Sequence, residues 1–137
     1  MTDHIAPEKN VHDQLGIEVV LATPEKVVCR VEVGPRVHQP YGILHGGVSA
    51  LIAESAGSIG GATTVGPEFI VVGTELNISH LRSMTKGTLT ATATPIRTGR
   101  SVHVWNIDLT DERDRKIAIA LLTLQVLKAP SSANPEA

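Results

Sequence analysis

Apolar and polar positions alternate along most of this chain, and one central segment breaks the pattern. Residues 27–33, Val-Val-Cys-Arg-Val-Glu-Val, are rich in β-branched side chains and end in alternation, which predicts a strand. A shorter run over 16–21 predicts a strand before it, and Gly34-Pro35 closes the pair. Residues 37–43 contain Pro40 and Gly42 and read as a loop. Four later runs, over 70–81, 87–96, 101–109 and 116–127, have strand character. Their links are short: Met84-Thr85-Lys86, Arg97-Thr98-Gly99-Arg100 and Asp111-Glu112-Arg113-Asp114-Arg115. Consecutive strands joined so tightly are expected to pair antiparallel.

The exception runs over 46–63. Val48, Leu51, Ile52, Ser55 and Ile59 recur at helical spacing, and Ala and Gly fill the other positions. A helix with almost no charge is expected to be buried on most sides. Each glycine costs about 1 kcal/mol of helix propensity relative to alanine, so tertiary packing must hold the segment. Small residues also permit close approach of a sheet or another helix. Two strands, one helix and four strands predict an α+β unit, an antiparallel sheet of five or six strands around one central helix. A helix on one face leaves the other face of the sheet uncovered, so an oligomer is expected.

Composition narrows the function classes. The 137 residues fit one domain, with 42% hydrophobic and 19% charged positions. The expected boundaries are a lead-in over 1–14, the domain over 15–128 and a disordered tail over 129–137. Twelve Lys and Arg against 14 Asp and Glu give a net charge of −2, which argues against a nucleic-acid surface. The single cysteine, Cys29, excludes an internal disulfide and sits in a strand-like run as a small apolar filler. Met1 to Lys9 lack the pattern of a secretory signal, and no apolar stretch is long enough to span a bilayer. No membrane partner and a cytoplasmic location are expected.

The candidate chemistry clusters at the start of the helix. His45-Gly46-Gly47 supplies main-chain N–H groups at a helix N-terminus, where negative charge on a carbonyl oxygen is stabilised. A plain turn before a helix is the alternative. Glu54 is the only acidic or basic residue between Arg36 and Glu68 apart from histidines. A carboxylate in so apolar a segment is either paired, solvent-facing or functional. Ser58, four residues on, shares its helix face and can bond a water or carboxylate there. Gly46 and Glu54 are separated by about 12 Å along an α-helix, too far for one carbonyl to touch both. Two antiparallel helices from different subunits would bring one Gly46 beside the other Glu54, so a dimeric active site is expected.

Gln39-Pro40-Tyr41-Gly42-Ile43-Leu44-His45-Gly46-Gly47, followed by Ala53-Glu54-Ser55-Ala56-Gly57-Ser58, closely resembles the hotdog-fold thioesterases. The nearest type includes the phenylacetic-acid-pathway, 4-hydroxybenzoyl-CoA and 1,4-dihydroxy-2-naphthoyl-CoA enzymes. The resemblance spans about residues 15–127 and implies a hotdog fold paired into homodimers and homotetramers. It implies hydrolysis of an aromatic or medium-chain acyl-CoA to free acid and CoA. In this reading the Gly46 N–H polarises the thioester carbonyl. Glu54 acts as nucleophile or general base, His45 and Gln39 orient substrate or water, and Ser58 assists. The family pattern for CoA falls on Gly73, on His80, Leu81, Arg82 and Ser83, and on Arg97, Thr98, Gly99, Arg100, Ser101 and Val102. Arginines suit phosphates because they donate bidentately. No cofactor or metal is implied.

Two other classes compete. Hotdog hydratases and dehydratases use a His with an Asp or Glu in a different placement. A non-catalytic acyl-CoA-binding protein has no need of a carboxylate at Glu54.

Overall fold

A computed structural model describes residues 10–130. The expected lead-in before Asn10 and the tail after Pro130 lie outside them. A short helix α1 (Val11–Leu15) is followed by strands β1 (Glu18–Ala22) and β2 (Val27–Val33) and a 3-10 turn (Pro35–Val37). Helix α2 (Gly46–Val65) comes next, then β3 (Phe69–His80), β4 (Gly87–Thr98), β5 (Val102–Thr110) and β6 (Lys116–Lys128). This is the expected α+β hotdog architecture: a six-stranded antiparallel sheet packed around one long helix.

Alternation builds the core. The inward residues of β2 are Val27, Cys29, Val31 and Val33, those of β4 are Leu89, Ala91 and Ala93, and those of β5 are His103, Trp105, Ile107 and Leu109. Leu122 and Leu124 continue the layer on β6. These central strands therefore give one side chain in two to the core, and burial of that face drives the sheet to close over α2.

The helix meets this layer through its smallest residues. Its buried positions are Ser49, Ile52, Ala53, Ala56, Gly57, Gly60 and Gly61. A β-carbon on Gly60 would come within 2.5 Å of Trp105 Cη2 and Cζ3, and one on Gly57 would stand 2.6 Å from a Leu122 methyl. Glycine here supplies space, which lets the fully buried indole lie against the helix backbone. The expectation that the helix is buried on most sides is corrected. Val48, Leu51, Ser55 and Ile59 are only half-buried, and Glu54 is exposed; the buried face carries Ile52 together with Ser49, two alanines and three glycines.

The sheet order is β1-β2-β4-β5-β6-β3. The short link between β3 and β4 is therefore not a hairpin, contrary to the expectation from its length. β3 pairs with β6, from Phe69 opposite Lys128 to His80 opposite Ala118, and β4 pairs with β2. After β3 the chain turns along the start of β6, where the Leu81 and Arg82 N–H groups both donate to the Ile117 carbonyl, at 2.8 and 3.2 Å. It then passes the loop before α2, where the Leu44 N–H donates to the Met84 carbonyl at 2.7 Å. These bonds carry the chain across the sheet. β3 is left as an edge strand of 12 residues.

β3 flanks α2 in the opposite direction. Val71 lies against Gly61, Gly73 against Glu54 and His80 against Gly46. A bulge between Gly73 and Glu75 keeps both Gly73 and Leu76 on the helix side. On the outer face, Val72, Ile119 and Leu121 are exposed.

Candidate active site

His45 caps α2. Its extended backbone ends the loop, and its Nδ1 accepts from the Gly47 N–H at 2.7 Å. Its carbonyl accepts from Val48 at 2.9 Å and from Ser49 at 3.3 Å. Its own N–H donates to the Val37 carbonyl at 2.9 Å, which fixes the loop to the 3-10 turn. Of the N–H groups in the first turn of α2, only that of Gly46 has no acceptor among the described residues. The helix N-terminus thus presents one free donor, aided by the helix dipole.

Gly46 opens into a depression of about 380 Å³ whose lining includes Gln39, Ser49, His80, Leu81, Arg82 and Ser83. A β-carbon on Gly46 would stand 3.1 Å from His80 Cε1 and Nε2, so the imidazole sits directly over the glycine. Gln39 is held in a tight turn: its carbonyl accepts from Gly42 and its side-chain Oε1 from the Tyr41 N–H.

Glu54 faces a second depression, of about 400 Å³, lined by His12, Leu51, Glu54, Ser55, Ser58 and Ile59. Ser58 shares it, as its helix spacing predicts. The two depressions have no lining residue in common. The carboxylate lies over Gly73, whose added β-carbon would come within 2.7 Å of Oε2. Gly73 is therefore placed with the carboxylate, apart from the arginines.

The remaining expected CoA-binding residues lie elsewhere. Arg97, Thr98, Gly99, Arg100, Ser101 and Val102 form the β4–β5 hairpin end. Thr98, Gly99 and Arg100 share a depression with Thr64 and Val65 at the C-terminal end of α2. His80, Leu81, Arg82 and Ser83 sit at its N-terminal end, about 30 Å away along a 20-residue helix. Arg82, Arg97 and Arg100 make no ion pair among the described residues.

Of the other histidines noted in the sequence, His38 bonds the Thr85 carbonyl at 2.8 Å. His103 is buried against Trp105, whose indole N–H approaches its Nδ1 at 3.5 Å. Burial pushes the His103 imidazole below its ordinary pKa, so it serves the core as a neutral ring. Sequence reasoning missed His12, whose Nε2 lies 2.8 Å from Ser55 Oγ. The available signal was local: Asn10 caps α1 by accepting from Asp13 N–H, and Gly16 ends it in the left-handed region.

The family model for the thioesterase superfamily matches residues 41–118, a segment holding both depressions' helix residues and the β3 flank. The chain belongs to this superfamily. Hydrolysis of acyl-CoA thioesters is accordingly its activity class. The 1,4-dihydroxy-2-naphthoyl-CoA hydrolase of Listeria monocytogenes is 45% identical over 86% of this thioesterase and 96% of its own length. A crystal structure of a thioesterase from Haemophilus influenzae superposes with a TM-score of 0.84 at 37% identity, covering 88% of this chain and 85% of that one. A mutant thioesterase from Pseudomonas aeruginosa superposes with a TM-score of 0.85 at 38% identity, covering 89% of each chain.

Proposed function

We propose that this thioesterase hydrolyses an aromatic or medium-chain acyl-CoA in an active site shared by two subunits. Water and the thioester yield a carboxylic acid and the CoA thiol. The observation that carries this reading is the placement of Gly46 and Glu54. Both lie on the β3 flank of α2, at the open edge of the sheet, with separate depressions and about 12 Å of helix between them. A long unpaired edge invites a second strand. An antiparallel second copy at β3 would reverse the direction of its own α2 and set its Glu54 opposite Gly46.

In that site the Gly46 N–H donates to the thioester oxygen and stabilises the negative charge that develops there. Glu54 of the other subunit attacks the carbonyl carbon or takes a proton from the attacking water. Ser58 bonds the water or the carboxylate. His45 fixes the donor by capping the helix, and Gln39 and His80 orient the thioester beside Gly46. The same reversal brings Arg97 and Arg100 of one subunit towards Arg82 of the other, which gives the CoA phosphates a shared cationic cradle. The water-excluding surround that Glu54 lacks in a single chain comes from the second subunit and the bound acyl group. The apolar outer face around Val72, Ile119 and Leu121 supports pairing of dimers into tetramers.

The 45% identity to a 1,4-dihydroxy-2-naphthoyl-CoA hydrolase favours a bulky aromatic acyl group. The test is complementation. Glu54→Gln removes the carboxylate. Gly46→Pro removes the N–H at the first helical position, where proline is tolerated. Each homodimer should lose at least about 100-fold in kcat. A verified heterodimer of the two should regain close to half of wild-type activity, because one of its sites is intact. No recovery would refute the shared site, and unchanged turnover in Glu54→Gln would refute the carboxylate's role. Hydration of crotonyl-CoA without thiol release would point instead to a hydratase.

A further inference from the structure

Helix α1 is too short to be stable alone, yet it is firmly held. Asn10 caps it, Gly16 closes it with φ of 76°, and the His12 carbonyl accepts from the Ile17 N–H at 2.8 Å. Leu15 packs on the core and Ile17 is buried within it. This anchoring fixes His12 over the middle of α2, where its half-buried ring forms one wall of the Glu54 depression.

The hydrogen bond between His12 Nε2 and Ser55 Oγ, at 2.8 Å, makes that wall polar beside the aliphatic side chains of Leu51 and Ile59, while Glu54 and Ser58 line the rest of the depression. The pair keeps a free group whichever ring nitrogen carries the proton. If Nε2 is protonated, it donates to Ser55, whose hydroxyl hydrogen is then free to donate. If Nε2 is bare, it accepts from Ser55, whose oxygen still has a lone pair to accept with. A ligand hydroxyl can donate and accept, so it matches both states. A hydrocarbon in the same place would desolvate the pair and return nothing.

We infer that His12 and Ser55 form the specificity wall of the acyl pocket and select acyl groups bearing a hydroxyl over equally large hydrocarbon acyl groups. The inference rests on the proposed reading in which Glu54 reaches the thioester, since that places the acyl group in the same depression. Sites built to bond a substrate hydroxyl discriminate strongly against analogues that lack it.

The experiment compares kcat/KM for benzoyl-CoA with that for its 2-, 3- and 4-hydroxy derivatives. Wild-type enzyme should favour at least one hydroxylated substrate by about 10-fold or more. His12→Phe keeps a flat ring without nitrogen, and Ser55→Ala is a mild change on the helix. Each should bring that ratio close to one, mainly through KM. The double variant should do no more than either single one, and His12→Gln should restore part of the ratio. Absence of a hydroxyl preference in the wild type, or a full preference in folded Ser55→Ala, would overturn the assignment. Glu54→Gln separates the two claims: if it keeps full turnover, the catalytic reading fails, whereas loss of turnover there with an unchanged ratio in the wall variants fails only the present one.

Discussion

The carboxylate of Glu54 rests on the backbone of Gly73, at a spot where a methyl group would stand 2.7 Å from Oε2. The contact joins the helix to the edge strand at the bulge of β3. The crowded atom is the end of a flexible side chain, so Gly73→Ala should move the carboxylate and spare the fold. A misplacement of about 1 Å at a reacting group can lower turnover by roughly 100-fold. We therefore expect a fall in kcat of about 10- to 100-fold with the thermal midpoint nearly unchanged. Steady-state thioesterase assays and a melting curve on the same sample check this. A large loss of stability without a change in kcat would show that Gly73 serves only the sheet.

Gly60 should give the opposite result. Its missing side chain makes room for the fully buried Trp105 ring, which cannot retreat because Ile107, Leu122 and the rest of the inner layer enclose it. Gly60→Ala should destabilise the protein by about 1–3 kcal/mol through overpacking, despite alanine's better helix propensity. Trp105 is the only tryptophan, so urea unfolding followed by its fluorescence reports directly on this contact.

These two glycines also show what the chain discloses and what it conceals. Period-two burial is a local property, and it located β2 to residues 27–33 and the other strands to within a few residues. The uncharged segment gave α2, and its glycines announced close packing. Sheet order is a global property. The link after β3 has hairpin length, but hydrogen bonds from Leu81, Arg82 and Leu44 route it across the sheet. No feature of its sequence marks that detour. Gly46 and Glu54 stood out as candidates because a donor at a helix start and an isolated carboxylate each depart from the apolar background, and the structure sets both on the β3 flank of α2. Glu54's exposure was not legible, because apolar neighbours along a helix need not be neighbours across its surface. His12 was concealed for a similar reason: it reaches the site from 43 residues away on a five-residue helix.

Cys29 lies in the middle of β2, fully buried between the paired strands β1 and β4. Burial pushes its thiol up to about 11 from the ordinary value of 9.0. Thiolate is the reactive form, so the folded protein should be inert to a disulfide reagent at pH 8. One equivalent should react once denaturant is added. Rapid labelling of the native protein would mean that β1 opens readily from the sheet edge.

Acid should weaken the fold in two separable steps. His103 is buried neutral, and desolvation lowers its pKa from 6.5. Below that pH the unfolded chain binds a proton that the folded ring refuses, so stability falls as pH falls. Asp111 is also buried. Burial alone raises its pKa, but the Arg115 N–H, the Arg115 guanidinium at 2.7 Å and the Arg113 N–H outweigh this and hold it below 3.8. Its contribution is present above the unfolded value and is lost only as pH falls below it towards the folded one. Urea midpoints measured from pH 8 to 3 can separate the two groups. His103→Gln cannot titrate but keeps an acceptor for Trp105, so its deficit against wild type should shrink between pH 7.5 and 5. Asp111→Asn should be weaker than wild type at neutral pH, and that gap should begin to close only below about pH 4. A gap for His103→Gln that stays constant through the first window would mean that the imidazole gains its proton without leaving the core.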